Sequence, residues 1–304
     1  MQQQPFEADV IAAFGRHVLV RDAAGVTHKA RPFGRSVALV CGDRVRCEHD
    51  ARHGEIHVVQ TLPRRTALYR SSRRGEAEAV CANLSLLIVV CAPRPAADLF
   101  VVDRYLAAAA SAGIGAQLVL NKSDLGIEAD LRRELDEYAR LGLATLACSV
   151  RESQGLDALL ASCQGHTAVL VGQSGVGKSS LVRRLVPGAD AAIGELVREA
   201  EGRHTTTASR LYDLPGGGHL IDSPGVRDFA PAIDRLEQRS LGFPEVERHA
   251  AGCRFQDCRH VREPDCAVRG AAERGEIHAR RYESYRRLRR LYDELTAARG
   301  PGRG

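Results

Sequence analysis

The order of apolar and polar residues divides the chain into three stretches with different hydrophobic patterns. In the first stretch, residues 8–62 alternate short apolar runs with glycine-containing turns, as at residues 18–20, 37–40 and 56–59. Short strands at this spacing are typical of a small β-barrel of the oligonucleotide-binding (OB) type. The sequence therefore predicts an OB-fold β-barrel over residues 1–66, followed by a basic linker over residues 67–82.

The second stretch alternates apolar runs with helical patterns. Apolar runs at residues 86–91 and 116–120 are separated by a helical segment at about residues 98–112, and a second helical segment covers about residues 128–141. This alternation predicts a parallel sheet covered by helices, which binds ligands at the carboxyl ends of its strands. We place this α/β domain at residues 83–232.

The third stretch, residues 233–304, ends in a predicted helix at residues 277–298. Its apolar residues recur at spacings of three and four, at Tyr285, Leu288, Tyr292 and Leu295, which predicts one buried seam. Five arginines are expected on the other faces, where they either meet phosphates or are solvated. They are Arg281, Arg286, Arg287, Arg289 and Arg290.

Charge is unevenly distributed along the 304 residues. Residues 1–75 hold thirteen Lys and Arg against seven Asp and Glu, and residues 249–304 hold thirteen against eight, although the net charge is only +5. Basic flanks around an acidic centre indicate contacts with a polyanion such as RNA, and a solvated basic surface is the alternative. We expect a monomeric cytoplasmic protein, because the sequence has no long apolar run and no secretion signal. Six scattered cysteines are expected to be reduced core thiols.

A glycine-rich loop follows the apolar run at residues 167–171 and precedes a helical segment. A G-x4-G-K-S string of this kind points backbone N–H groups at phosphate oxygens. Lys178 is expected to reach the β- and γ-phosphates and Ser179 to bind Mg²⁺. The predicted phosphate loop is Gly172, Gln173, Ser174, Gly175, Val176, Gly177, Lys178, Ser179 and Ser180.

A second polar motif, N-K-S-D, is the candidate for recognising the base of the nucleotide. It consists of Asn121, Lys122, Ser123 and Asp124 and follows the apolar run at residues 116–120. The Asp124 carboxylate can accept from the ring N–H and the exocyclic amine of guanine, a donor pair that adenine lacks. The Lys122 stem can cover the base, and the Asn121 amide can join the two loops. Together the two motifs predict a site for GTP and GDP.

These two motifs occur in the reverse of the usual GTPase order, so the sequence predicts a circularly permuted GTPase. Three further pieces fit the rotated order. Cys148 and Ser149 are expected to close over the base. Asp222 and Gly225 are expected at the metal and the γ-phosphate. Thr205 and Thr206 offer hydroxyls for Mg²⁺.

The catalytic machinery has one gap. Val226 stands where Ras-like GTPases carry a water-orienting glutamine, so we expect slow intrinsic hydrolysis that a partner or a distant residue accelerates. His204 is a candidate for activating water. The predicted catalytic residues are Lys178, Ser179, Asp222, Gly225 and His204.

Near the carboxyl end, four potential metal ligands fall within fourteen residues. Three thiolates and one imidazole form a complete tetrahedral set for Zn²⁺, which predicts one structural zinc ion. The ligands are Cys253, Cys258, His260 and Cys266. The alternative is a group of free core cysteines.

Taken together, these motifs resemble the RsgA family of small ribosomal subunit biogenesis GTPases. The resemblance implies an OB-fold barrel, a permuted GTPase centre, a zinc module, and GTP hydrolysis stimulated by the small ribosomal subunit and its rRNA. Two departures stand out: Ser85 replaces the Asp of an Asn-x-Asp motif, and residues 230–234 lack a histidine that some relatives carry. The residue that activates water is therefore open.

Two alternative functions belong to other classes of protein. One is a nucleic-acid-binding structural protein with a stabilising nucleotide, and the other is a phosphate-loop enzyme that acts on a small molecule. For the GTPase we expect ordering of the loop after Asp222 to reposition the zinc module, so that the GTP state binds the subunit and hydrolysis releases it.

Overall fold

The first five strands close into a barrel. The computed structural model describes residues 4–14, 17–33, 38–50, 53–71, 76–188, 209–222 and 229–299. All strand pairs of the barrel are antiparallel except β3 with β5, and β1 pairs with β4 to close it. Alternate side chains such as Val10, Val20 and Val45 fill its core, which confirms the predicted OB-like fold. The strands are β1 (Phe6–Phe14), β2 (His17–Asp22), β3 (Thr27–Pro32), β4 (Arg44–Asp50) and β5 (Glu55–Thr61).

A hairpin follows the barrel, in the part of the chain for which the sequence predicted a linker. Strands β6 (Ala67–Ser71) and β7 (Ala77–Ala82) pair with each other as a separate two-stranded sheet. Leu68 and Cys81 point into the core of the α/β domain, and this burial stabilises the hairpin. The arginines in this part of the sequence obscure the short apolar pattern.

A six-stranded sheet forms the centre of the molecule. Five of its strands are parallel, in the order β10-β9-β8-β11-β13, and β12 is antiparallel to β13. Because both faces of β8 are covered, all six of its residues are apolar and buried. The strands are β8 (Leu86–Cys91), β9 (Gly115–Leu120), β10 (Ala144–Ala147), β11 (Thr167–Gly172), β12 (Ser209–Asp213) and β13 (His219–Asp222).

Helices cover both faces of this sheet, as the alternation predicts. They are α1 (Leu99–Ser111), α2 (Ala129–Arg140), α3 (Leu156–Ser162) and α4 (Lys178–Leu185), with a 3₁₀ turn at Ser123–Leu125. The Asp98 side chain caps α1 by accepting hydrogen bonds from the N–H groups of Phe100 and Val101. Strand β12 also pairs with β1, so the sheet continues into the barrel.

The carboxyl-terminal part is helical. A 3₁₀ turn at Ile233–Arg235 leads to α5 (Pro244–Ala250), α6 (Ala267–Glu273) and α7 (Ala279–Arg299). Three of the four predicted seam residues of α7, Tyr285, Leu288 and Tyr292, share a core with the metal-ligand loop, whereas Leu295 is only partly buried and lies outside that core. The expected exposure of Arg281 and Arg289 is wrong, because both side chains are buried. Helix α7 is covered on more than one side.

All nine cysteines are free thiols. The six scattered ones are buried, as expected for core thiols, and burial raises the pKa of Cys148 and of Cys163 to about 11. Of the helices in the described ranges, none combines the length and apolar character that a membrane span requires.

Candidate functional site

The predicted nucleotide residues gather at one edge of the central sheet. Strands β9, β10, β11 and β13 all run parallel to β8, so their carboxyl ends lie at the same edge. Asn121 follows β9, Cys148 follows β10, Gly172 ends β11 and Asp222 ends β13. This edge is where open α/β sheets bind ligands.

The phosphate loop has a backbone that only glycine can supply. Gly172 has φ of 140°, and a Cβ atom there would lie 2.1 Å from the carbonyl oxygen of Val90. Gly177 has φ of 97°, and a Cβ atom there would lie 2.3 Å from Nδ2 of Asn121. The two glycines therefore allow the loop to approach β8 and the N-K-S-D motif closely.

Lys178 and Ser179 begin α4, directly behind the loop. The Lys178 ammonium donates hydrogen bonds to the carbonyl oxygens of Gly172 (2.7 Å) and Gln173 (2.8 Å), inside the curve of the loop. The amino terminus of α4 adds a partial positive charge at the same place. The loop is thus an anion-binding cradle with a fixed cation.

The Asn121 side chain joins the two motifs. Its Nδ2 donates to the Val176 carbonyl at 2.9 Å, and its Oδ1 lies 3.6 Å from the Cys148 thiol, which can donate to it. Lys122 adds a second link, since its Nζ donates to the Gly175 carbonyl at 2.7 Å. The contact expected between Asn121 and the phosphate loop is present.

Asp124 is oriented by the neighbouring loop. The buried Ser149 hydroxyl donates to Asp124 Oδ1 at 2.6 Å, while the N–H of Glu152 donates to the same hydroxyl oxygen at 3.1 Å. The Ser123 N–H also bonds to the Cys148 carbonyl. The two loops after β9 and β10 therefore hold the carboxylate in one direction, beside the Lys122 stem.

Two of the residues predicted to hold the metal lie near the carboxyl ends of the neighbouring strands β11 and β13. Ser179 lies behind β11, and the largely buried Asp222 ends β13. A hydroxyl and a carboxylate suit a hard cation such as Mg²⁺. Four predicted residues lie outside the described ranges: His204, Thr205, Thr206 and Gly225.

A second candidate site lies in the carboxyl-terminal part. One ligand atom from each of Cys253, Cys258, His260 and Cys266 lies within 4.8 Å of the others. Cys253 Sγ is 3.4 Å from His260 Nδ1 and 3.9 Å from Cys266 Sγ. Ligand atoms about 2.0–2.3 Å from a tetrahedral zinc ion lie roughly 3.3–3.8 Å apart. The cluster therefore fits zinc.

The loop that carries these ligands is held by hydrogen bonds on both sides. Tyr282 and Tyr285 of α7 donate their hydroxyls to the carbonyls of His260 (2.8 Å) and Arg259 (2.9 Å). The Glu263 carboxylate accepts backbone N–H bonds from three residues of the loop, at 3.0 Å each. These are Arg259, Val261 and Arg262.

The charge state of this loop follows from its surroundings. Burial, with the positive charge of Arg289, lowers the pKa of His260 to about 4, so the imidazole is neutral and able to bind a metal. Desolvation alone would raise the pKa of Glu263, but the backbone N–H groups outweigh it and lower the pKa to about 2. Glu263 is therefore a carboxylate at neutral pH.

A buried cluster of ion pairs, which we call the ionic joint, connects the α/β domain to the carboxyl-terminal module. Sequence reasoning missed it. Arg281 of α7 donates to Asp103 of α1 at 2.6 Å and to both oxygens of Glu245 of α5 at 2.7 and 3.0 Å. Desolvation alone would lower the pKa of Arg281, but the charges of Asp103 and Glu245 raise it. Arg280 also pairs with Asp103, at 2.6 Å. A lone aspartate in the apolar sequence of α1 was the available signal.

Asn83 is the first residue of the altered Asn-x-Asp motif, and it connects the barrel to the sheet. Its φ is 53°, its Oδ1 accepts from the Arg65 N–H, and its Nδ2 donates to the Gly42 carbonyl at 2.8 Å. Ser85, the departing residue itself, contacts His166 at 2.9 Å. These contacts lie at the opposite end of β8 from the phosphate loop, so they position the barrel.

The chain is similar in sequence to known proteins. The family model described as RsgA GTPase matches residues 61–231. The chain is 44% identical over 287 residues to the small ribosomal subunit biogenesis GTPase RsgA of Azotobacter vinelandii, covering 92% of this chain and 83% of that protein. It is 42% identical over 283 residues to the protein of the same name from Pseudomonas aeruginosa, with the same coverage of 92% and 83%.

Solved structures show the same architecture. The crystal structure of YjeQ from Thermotoga maritima matches with a TM-score of 0.73 and 27% identity, covering 96% of this chain and 99% of that one. YloQ, described as a circularly permuted GTPase, matches with a TM-score of 0.71 and 23% identity, covering 99% and 98%. The match to YloQ concerns the fold, and it extends over the barrel, the sheet and the carboxyl-terminal helices.

Proposed function

The chain belongs to the RsgA GTPase family of GTP hydrolases, and on this premise we propose that it binds the small ribosomal subunit and couples GTP hydrolysis to late subunit maturation and release. The observation that carries the proposal is the link through Asn121, which joins the N-K-S-D loop to the phosphate loop at 2.9 Å. Two motifs in reversed order along the chain thereby meet at one edge of the central sheet, which we call the nucleotide edge.

We assign the base to the loops after β9 and β10. Asp124, held by Ser149 at 2.6 Å, would accept from the guanine ring N–H and amine, and the Lys122 stem would cover the base. The phosphates would lie in the loop from Gly172 to Ser180, with Lys178 as the countercharge. Cys148 and Ser149 would close the base pocket.

For hydrolysis, we assign the metal to Ser179 and Asp222, with one threonine among Thr205, Thr206 and Thr207. Mg²⁺ supplies charge neutralisation at the β- and γ-phosphates. Lys178 adds a fixed positive charge, and the Gly225 N–H would contact the γ-phosphate. His204 remains our candidate for activating water, and Val226 cannot do so because its side chain forms no hydrogen bonds. Intrinsic hydrolysis is therefore expected to be slow.

The carboxyl-terminal module is assigned one structural zinc ion. Three thiolates and a neutral imidazole would complete its tetrahedral shell and would leave no position for a substrate. The basic surfaces of this module and of the barrel are assigned to rRNA. The position of the module would depend on whether GTP or GDP is bound, because the chain passes directly from the loop after Asp222 to the module.

Phosphate release tests this proposal. Wild-type protein with Mg²⁺ and GTP is measured with small ribosomal subunits, with large subunits and with no ribosome. We expect low turnover alone, at least about tenfold stimulation by small subunits, and none by large subunits. A Lys178→Ala variant, which removes the fixed cation, is the control for contaminating activity.

Two outcomes would contradict the proposal. Absence of phosphate release under all three conditions would favour a nucleic-acid-binding structural protein with a stabilising nucleotide. Equal stimulation by large and small subunits would remove the small-subunit assignment.

A further inference from the structure

A pocket outside the nucleotide edge lies where the β6–β7 hairpin, the end of α1 and the segment after Phe229 meet. It encloses about 240 Å³. Four of its lining residues are apolar and are called its floor here: Ala108 and Ala112 of α1, with Ala232 and Leu236 of the following segment. None of these residues belongs to the nucleotide or metal assignments above.

The rim of the pocket carries positive charge without matching carboxylates. Arg65 and Arg235 line the pocket and are exposed, and neither forms an ion pair with any residue in the described ranges. Arg64 also lines it, but Asp43 binds its guanidinium at 2.7 and 2.9 Å. The Glu237 carboxylate, two residues beyond Arg235, is occupied by the N–H groups of Arg239 and Ser240, at 2.7 Å each.

One of these arginines is already stacked. The Arg235 guanidinium lies 4.9 Å from the centre of the Tyr69 ring. Backbone contacts fix the pair, because the Ala232 N–H donates to the Tyr69 carbonyl at 2.8 Å. Planar guanidinium groups and tyrosine rings are the surfaces on which unpaired bases stack in proteins that bind single-stranded nucleic acids.

We propose that this pocket binds one nucleotide of single-stranded RNA. The base would rest against the apolar floor and the Tyr69–Arg235 pair, and the adjacent phosphates would contact Arg65 and Arg235. An acidic peptide would use only the two charges and would leave the floor and the stacked plane without a partner. The inference rests on the proposed function for the choice of RNA over DNA.

The position of the pocket gives it a consequence for hydrolysis. The lining segment at residues 232–236 begins three residues after Phe229, whose carbonyl accepts the Tyr105 hydroxyl at 2.6 Å. Arg104 of α1 also donates to the Pro231 carbonyl at 3.2 Å. RNA in the pocket would therefore contact the chain about ten residues after Asp222, where it can favour one arrangement of the nucleotide edge.

The test is RNA binding by a variant that removes the two rim charges. The probe is a fluorescein-labelled, eight-nucleotide single-stranded RNA of mixed sequence, and its affinity is measured by anisotropy. Arg65→Gln combined with Arg235→Gln is expected to weaken binding about tenfold. The control combines Arg133→Gln with Arg140→Gln, which removes equal charge from exposed arginines on α2 and is expected to change binding less than about twofold.

A second readout locates the RNA, since the barrel and the zinc module also present basic surfaces. The same RNA carrying 4-thiouridine is crosslinked to wild-type protein, and we expect crosslinks in the peptides that contain Tyr69 or Arg235. Tyr69→Leu keeps the rim charges but removes the ring, and it is expected to abolish those crosslinks.

Two outcomes would overturn the inference: crosslinks confined to other peptides, or wild-type affinity of the double variant for the RNA. Wild-type affinity for the RNA together with weak binding to small subunits would indicate that the pocket binds a protein. GDP affinity and basal phosphate release of the variants should equal those of the wild type. Failure of small subunits to stimulate the wild-type protein would instead reject the proposed function.

Discussion

At the scale of single residues, the nucleotide edge depends on side chains that position other side chains. Asn121 holds Val176, Cys148 contacts Asn121, and Ser149 orients Asp124. The Asp124 carboxylate and the phosphate loop are therefore fixed relative to each other before any nucleotide binds. Such preorganisation lowers the entropic cost of binding.

The Asp124 carboxylate is the first residue to test. Asp124→Asn removes the acceptor pair for guanine and introduces an amide that can donate to the extra carbonyl of xanthine. We expect GDP affinity to fall about 100-fold, since two charge-assisted hydrogen bonds are lost, and xanthosine diphosphate to bind more tightly than GDP. Competition against a fluorescent GDP analogue measures both, with Asp130→Asn on the exposed face of α2 as the control. Unchanged preference for guanine would remove Asp124 from the base pocket.

Gly177 tests the contact between the two loops. In Gly177→Ala the new Cβ would lie 2.3 Å from Asn121 Nδ2, so Asn121 must leave Val176. We expect nucleotide affinity to fall at least about tenfold. The matched control is Gly165→Ala, where φ is also positive at 72° but nothing lies within 4 Å of the added atom. It should cost about 1–2 kcal/mol of stability and leave GDP affinity unchanged. Equal affinities for the two variants would mean that the loop contact is dispensable.

At the scale of elements, strands and helices with clear periodicity were predictable, and contacts between elements were not. The apolar run of β8 and the seam of α7 identified both elements. The β6–β7 hairpin was missed because Leu68 and Cys81 gain their burial from a distant core. Arg281 looked like a surface residue until folding placed Asp103 and Glu245 beside it, since no local pattern marks a buried ion pair.

The metal loop gives a pH-dependent test at this scale. The pKa of Glu263 is about 2 in the folded protein and about 4.3 in an unfolded chain. Its contribution to stability is therefore complete above about pH 4.3 and is lost as the pH falls toward 2. Glu263→Gln is expected to lower the melting temperature at pH 7 and to release zinc several-fold faster to a chelator, because three N–H groups lose their charged acceptor.

The control for this variant is Glu273→Gln, an exposed carboxylate on α6. The difference in unfolding free energy between wild type and Glu263→Gln should shrink as the pH is lowered below about 4.3. A difference that stays constant between pH 7 and pH 3 would show that the carboxylate charge does not hold the loop.

At the scale of the whole molecule, the nucleotide edge sits between two modules that are attached to it in different ways. The barrel is joined by the pairing of β1 with β12 and by Asn83. The carboxyl-terminal module is joined by the Asp103–Arg281–Glu245 joint and by the segment after Phe229. The reversed motif order predicted only that the chain runs from Asp222 toward the carboxyl-terminal module, and it could not reveal the ionic joint or the contacts that hold the barrel.

The segment between Phe229 and Leu241 is the covalent route from the nucleotide edge to the zinc module, so lengthening it tests the coupling. We expect a four-residue Gly-Ser insertion after Gln238, an exposed position, to preserve phosphate release stimulated by small subunits, because the nucleotide edge is intact. Dissociation from the subunit after hydrolysis should slow about tenfold, a coupling free energy of about 1.4 kcal/mol.

The same insertion after Gly142, where the chain turns in open space between α2 and β10, should change neither rate. Co-sedimentation with subunits at fixed times, alongside phosphate release, separates the two steps. Wild-type dissociation in the Gln238 insertion would show that the signal instead passes through the Asp103–Arg281–Glu245 joint.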